Sequence, residues 1–224
     1  IVTLTTRINY NQNKTLNALA GSICLIGSGG DFVMIEEGLE TMYHAVLNQT
    51  KPKLLLQTTV TAIEHVKDAN QVKYKVVTQN GKSDVFDAVI VAAPLEFANV
   101  TLPVQLPSPA VTRPYQVTHV YIIAGELNPK YFGFEKQEDI PSLIATVEDD
   151  NIPFSSIALK TSPPVTKFPS YKIFSRKPLN ETTLNSLYNK IEYQYHTWWH
   201  AYPRLQPSNA GYPPLVLDGQ HLYY

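Results

Sequence analysis

The chain has 224 residues, 44% of them hydrophobic and 17% charged, the make-up of a folded protein with a sizeable core. Eighteen lysines and arginines against 19 aspartates and glutamates leave a formal charge of −1, which gives no electrostatic footprint for nucleic acid. No apolar run reaches the ~20 residues of a membrane-spanning helix, and the single cysteine, Cys24, excludes an internal disulfide and a multi-cysteine metal site.

The opening IVTLTTRINY has no signal-peptide pattern. This end and the final LVLDGQHLYY both read as cuts through regular structure, so a fragment of a longer protein is expected. Cys24 lies in the apolar run SICLI, where a buried, inert thiol is expected. In IGSGGDF (26–32), Gly27 and Gly29 fit the start of a dinucleotide fingerprint, but Phe32 occupies the third glycine's place and no helix opens at once. A flexible turn is expected there.

Leu39, Met42, Tyr43, Val46 and Leu47 predict a helix over 36–47, with Glu36 and Glu37 at its positive N-terminal end. Three strands follow: LLLQTTVTAIEHV (54–66), VKYKVV (72–77) and VFDAVIVAA (85–93). They are joined at Asp68-Ala69-Asn70 and Gln79-Asn80-Gly81, the second carrying the Asn-Gly tight-turn signal. The three make a β-meander. Prolines 103, 107, 109 and 114 then mark an irregular crossing. Beyond it, YQVTHVYIIAG, SLIATVE, SSIALK and SYKIFSR predict a second sheet. ETTLNSLYNKIEYQYHTWW predicts a helix N-capped by Asn180, with Leu184, Leu187, Tyr188, Ile191, Tyr195, Trp198 and Trp199 on one stripe. A Pro- and Tyr-rich loop leads to a final strand.

Glu192, His196 and His200 would align on one face of that helix as metal ligands could, but His-Thr-Trp-Trp-His lacks the glutamate of HExxH, and a solvated flank is expected instead of a metal. No Gly-x-Ser-x-Gly elbow occurs. Four sequons, at Asn13, Asn48, Asn99 and Asn180, point to the secretory pathway and glycosylation. The strand ending Val-Ala-Ala-Pro, at the close of a meander, matches the place where two-dinucleotide flavoproteins let the backbone approach FAD; tight packing is the alternative reading.

Several segments, in order along nearly the whole chain, resemble the prenylcysteine oxidase (farnesylcysteine lyase) family. They are TRINYNQ (6–12), IEEGLETM (35–42), FDAVIVAAPL (86–95), VTHVYIIAGELN (117–128), YKIFSR (171–176) and WHAYPRLQP (199–207). The resemblance implies an α+β flavoprotein fragment: the β-meander part of a two-dinucleotide-type FAD domain plus a substrate domain with a mostly antiparallel sheet and flanking helices. The implied layout is a substrate-domain segment at 1–35 and a partial FAD domain at 36–100. The substrate domain resumes at 101–212, and a C-terminal FAD-domain strand begins at 213–224. Family members are longer, with the Gly-x-Gly-x-x-Gly turn upstream.

The implied chemistry is oxidation of S-prenyl-L-cysteine, farnesyl or geranylgeranyl. A hydride leaves the carbon next to sulfur and water adds there, giving cysteine and a prenyl aldehyde, while molecular oxygen becomes hydrogen peroxide. A sulfur-stabilised allylic cation needs no strong base, and no catalytic residue is singled out. By the same resemblance Gly38, Val60, Ala92, Ala93 and Pro94 would meet the cofactor, and Trp199 and Tyr202 the substrate, in a lysosome, vacuole or other secretory compartment. Glu37, Leu39 and Val33 depart from the family pattern, Glu37 replacing a glycine suited to positive φ. Two other readings stand beside this one: an amine-oxidase-type FAD enzyme, and a non-enzymatic glycosylated β-rich binding protein.

Overall fold

The computed structural model describes residues 2–26, 33–68, 71–106, 113–149, 151–161, 167–207 and 214–224. The glycine cluster of IGSGGDF and the Ala69-Asn70 pair lie outside them. In chain order the helices are α1 (Val2–Tyr10), α2 (Ala18–Ile26), α3 (Leu39–Thr50), α4 (Leu95–Ala98) and α5 (Glu181–Leu187). The strands are β1 (Val60–Asp68), β2 (Gln71–Thr78), β3 (Ser83–Phe86), β4 (Val89–Ile90), β5 (Tyr115–Leu127), β6 (Leu143–Ala145), β7 (Ser156–Thr161), β8 (Ser170–Ser175), β9 (Tyr188–Pro203) and β10 (Leu222–Tyr223). Helices and largely antiparallel sheets, segregated along the chain, make the fold α+β. The chain forms two compact units, Ile1–Gly30 with Pro114–Ser208 and Asp31–Arg113 with Asn209–Tyr224.

In the unit built around residues 31–113, β1, β2 and β3 form an antiparallel meander. Its second turn is closed by Gly81, whose φ of 78° suits glycine, and by the Thr78 amide donating to the Lys82 carbonyl. Ile63, Tyr74 and Leu222 are the buried centre of this unit's core, with Val60, Val76, Val89 and Val91 against them. The meander differs from expectation at both ends. LLLQTT is not strand, and VFDAVIVAA is broken: β3 stays with β2, whereas β4 pairs in parallel with β10. The parallel partner comes from far along the sequence, so nothing local to VFDAVIVAA announces the switch. Helix α3 also starts later than predicted. Glu36 and Glu37 precede it, Gly38 sits at its N-cap with φ 91°, and none of its residues is buried.

In the unit built around residues 114–208, one antiparallel sheet has the order β6-β7-β8-β5-β9. One face packs Tyr121, Ile123, Ile157, Tyr171 and Ile173 with Leu184 and Leu187 of α5 into the larger core. Asn180 caps α5 as predicted, its side chain accepting from the Thr183 amide at 2.8 Å. The helix is shorter than predicted and ends at Leu187, and Tyr188–Pro203 is a strand paired along the whole of β5. Tyr, Trp and Thr pack well on a pleated surface, and β5 offers a long edge to pair with. The helical stripe in the sequence arises because both faces of this strand carry aromatics. At the end of α1, Asn11 is buried with φ 53° and ties the helix to the sheet. Its side chain donates to Thr118 Oγ1 and accepts from Ser155 Oγ, while its carbonyl accepts from Arg176 Nε and Nη2.

Candidate functional site

Strand β4 delivers Ala92, Ala93 and Pro94 to the surface, where all three are exposed. The backbone ladder to the C-terminal strand stops at Val91, whose amide donates to the Tyr223 carbonyl. Beyond it, short side chains leave the main chain open to a ligand. Val60, at the start of β1, joins Val89 and Val91 in one apolar cluster, so the fold gathers four of the five expected cofactor residues in this region. Val60 also lines a cleft of about 680 Å³ with Leu55, Val76 and Phe86. Gly38, the fifth, is the N-cap of α3. A Cβ there would meet nothing within 4 Å, so the space around it is open. Exposed backbone beside small residues, and an open positive-φ glycine at a helix start, fit a large cofactor laid against main chain.

A polar latch that the sequence did not announce lies just past Pro94. The Glu96 side chain is 5% exposed, and its Oε1 accepts from Arg113 Nε at 2.6 Å. Arg113 Nη2 donates to the Tyr224 hydroxyl at 3.1 Å, and Glu96 Oε2 is buried without a partner among the described residues.

In the other unit the cross-strand pairs sort the aromatics by face. Trp199, Tyr195 and Tyr193 stand opposite Thr118, Ile122 and Ala124. Phe174 faces Val120 from β8 on that same side, with the Lys172 ammonium 4.7 Å from its ring centroid. These residues form an aromatic surface on the side of the sheet away from the larger core. A register shift between Gln116 and Val117 sets Tyr202 opposite Gln116, on the face of Trp199, where it meets Tyr10 edge-on at 5.2 Å. The fold thus brings Trp199 and Tyr202 to one surface. It adds Tyr193 and Tyr195, which their every-second-residue spacing could have flagged.

On the core face, His196 stacks on Tyr121 at 4.2 Å, and its Nε2 lies 3.0 Å from His119 Nδ1. Burial, then the His196 charge, lower the His119 pKa. The Glu192, His196 and His200 alignment does not form. On a strand, residues four apart are separated by roughly 13 Å, too far to share an ion. Among the described residues no three His, Cys, Asp or Glu side chains could hold a metal. Cys24 is buried, and Asn9 Nδ2 donates to its sulfur at 3.3 Å. No helix is long and apolar enough to cross a membrane among the described residues.

Compared with known proteins, the sequence profile of the family described as prenylcysteine lyase matches residues 1–224. The chain is 33% identical to a farnesylcysteine lyase of Arabidopsis thaliana over 227 residues, covering 100% of this chain and 43% of that one. It is 28% identical to prenylcysteine oxidase 1 of Mus musculus, covering 97% of this chain and 46% of that one. A putrescine oxidase structure aligns with 71% of this chain and 38% of its own at 11% identity and a TM-score of 0.49. The chain spans less than half the length of these relatives.

Proposed function

The chain belongs to the prenylcysteine lyase family, and from that premise we propose that the protein is a FAD-dependent thioether oxidase. It cleaves S-prenyl-L-cysteine, with water and molecular oxygen, to cysteine, a prenyl aldehyde and hydrogen peroxide. The observation that carries this reading is the family match along the entire chain. A bound flavin supplies the two-electron acceptor that no side chain can provide.

The chain's own residues bind and orient. The main chain at Ala92, Ala93 and Pro94, with Val60 and Gly38, holds the cofactor where short side chains let it approach. Trp199, Tyr202, Tyr195 and Ile122 offer an apolar, aromatic surface on which an isoprenoid chain lies flat and sheds water. The exposed sequons at Asn48, Asn99 and Asn180 support glycosylation in a secretory or lysosomal compartment. Asn13 is half-buried, and its side-chain oxygen is engaged by Thr15.

The test is to incubate the full-length protein, purified with its flavin, with S-farnesylcysteine and follow farnesal, cysteine and peroxide together. Equal amounts of the three, with anaerobic bleaching of the flavin colour by the same substrate, are expected. A flavin-loaded protein that leaves S-farnesylcysteine intact but oxidises a polyamine would replace this reading with an amine oxidase. A folded, colourless protein would leave a binding module.

A further inference from the structure

Arg7, in the TRINYNQ segment, is 3% exposed. Its Nε donates to the Thr146 carbonyl and its Nη2 to Thr146 Oγ1, both at 3.2 Å. Its remaining nitrogen, Nη1, is buried and has no hydrogen-bond partner among the described residues. No ion pair within 4.0 Å reaches this guanidinium among them either. Burial and then the neighbouring Arg176 charge lower the Arg7 pKa, while Glu148 acts the other way. A buried cation with one amine unbonded and a second cation beside it is an arrangement that an anion relieves.

There is room for one. Arg7 lines a cavity of about 250 Å³ with Arg176, Lys177, Glu148 and Asp149. A second cleft of about 450 Å³, lined by Arg204, shares Arg176, Lys177 and Glu148 with it. Among the described residues, four cationic side chains therefore face the two spaces against two carboxylates. Of those, Asp149 Oδ1 already holds the Asn151 amide and side chain. Glu148 is bonded to Arg176 Nη1 and is partly exposed, free to turn toward solvent.

We infer that this paired cavity binds an oxyanion, a carboxylate or phosphate group, seated on Arg7 and Arg176 with Lys177 at its rim, and that Glu148 is the internal anion it displaces. Planar guanidinium groups suit the two oxygens of such a group. The site lies within one unit and does not depend on the activity proposed above. Its occupant is either a free inorganic anion or the α-carboxylate of an S-substituted cysteine.

The experiment is calorimetric titration of inorganic phosphate into the protein and into its Arg7→Lys and Glu148→Gln variants, with circular dichroism confirming that each is folded. Saturable one-to-one binding is expected. Arg7→Lys, which keeps the charge but loses the fork, weakens it about fivefold or more. Glu148→Gln, at a partly exposed position that tolerates the change, tightens it roughly tenfold. No saturable binding to either the parent or Glu148→Gln overturns the site, as does an affinity that neither substitution alters. Competition then identifies the occupant. S-farnesylcysteine that displaces phosphate assigns the site to the amino-acid carboxylate, and S-farnesylcysteine that binds alongside phosphate assigns it to an inorganic anion; both uphold it.

Discussion

The Tyr74 hydroxyl donates to Asp218 Oδ2 at 2.5 Å, joining the middle of the meander to a residue 144 positions later. Tyr74 is fully buried, and the Asp218 side chain is 1% exposed. The same carboxylate takes His65 Nε2 at 3.0 Å and the amides of Gln220 and Leu222, and the Tyr74 oxygen accepts the His221 amide at 2.9 Å. This knot sets β10 in register beside β4.

Removing the phenol oxygen leaves Asp218 short of a donor and the His221 amide short of an acceptor, both away from water. Tyr74→Phe is expected to destabilise the protein by about 2 kcal/mol. Urea unfolding would show it, and an unchanged midpoint would mean that water replaces the hydroxyl.

The same carboxylate makes stability depend on acid. Burial alone raises the Asp218 pKa, but hydrogen bonds from Tyr74, the Gln220 amide, His65 and the Leu222 amide more than reverse this, bringing it from 3.8 to about 2. As pH falls, the unfolded chain takes up this proton first. The contribution is therefore complete above pH 3.8 and is lost as pH falls through about 2. The stability gap between the parent and Asp218→Asn should be flat at higher pH and close across that window. A gap that stays constant down to pH 2 would contradict the assignment.

Glu37 has φ 66° and Gly38 φ 91°. A left-handed backbone costs a side-chain-bearing residue on the order of 1–2 kcal/mol, which the greater freedom of glycine in the unfolded chain partly offsets. Glu37→Gly should stabilise by about 0.5–1 kcal/mol, and Gly38→Ala should destabilise by about 1 kcal/mol. Opposite signs from neighbouring positions in one denaturation series are the result to look for.

At Gly125, where the β5–β9 register shifts, a Cβ would run into the Lys190 carbonyl. That atom is backbone held in the sheet and cannot swing aside. Gly125→Ala should cost about 3 kcal/mol and loosen β9. Amide exchange along Tyr188–Pro203 would report it, and full protection there would show that the bulge can absorb a methyl group.

Local chemistry was readable in the sequence where one stretch decides its own shape. The meander turn at Asn80-Gly81, the Asn180 cap and the alternating strands β5, β7 and β8 follow from residues close together in the chain. What was not readable depends on partners far away. β9 carries aromatics on both faces and mimics a helical stripe, and only pairing with β5 decides the matter. β4 leaves the meander for a strand more than 130 residues later. Trp199 and Tyr202 could be singled out, but their common face depends on a register shift that no spacing rule supplies. Arg7 was visible within TRINYNQ, yet its unbonded amine depends on Thr146, Arg176 and Glu148 arriving together.

Because each unit is assembled from two separated stretches of chain, order of synthesis becomes part of how this protein folds. The unit holding the meander lacks β10 until Leu222 has left the ribosome. By then the whole of Pro114–Ser208 has already emerged and can close its own sheet. Until that moment Val89, Val91 and the face of Tyr74 stand without their final cover, the condition in which apolar strands recruit unwanted neighbours. A released chain ending before residue 218 should therefore lean on chaperones far more heavily than one that includes Leu222 and Tyr223.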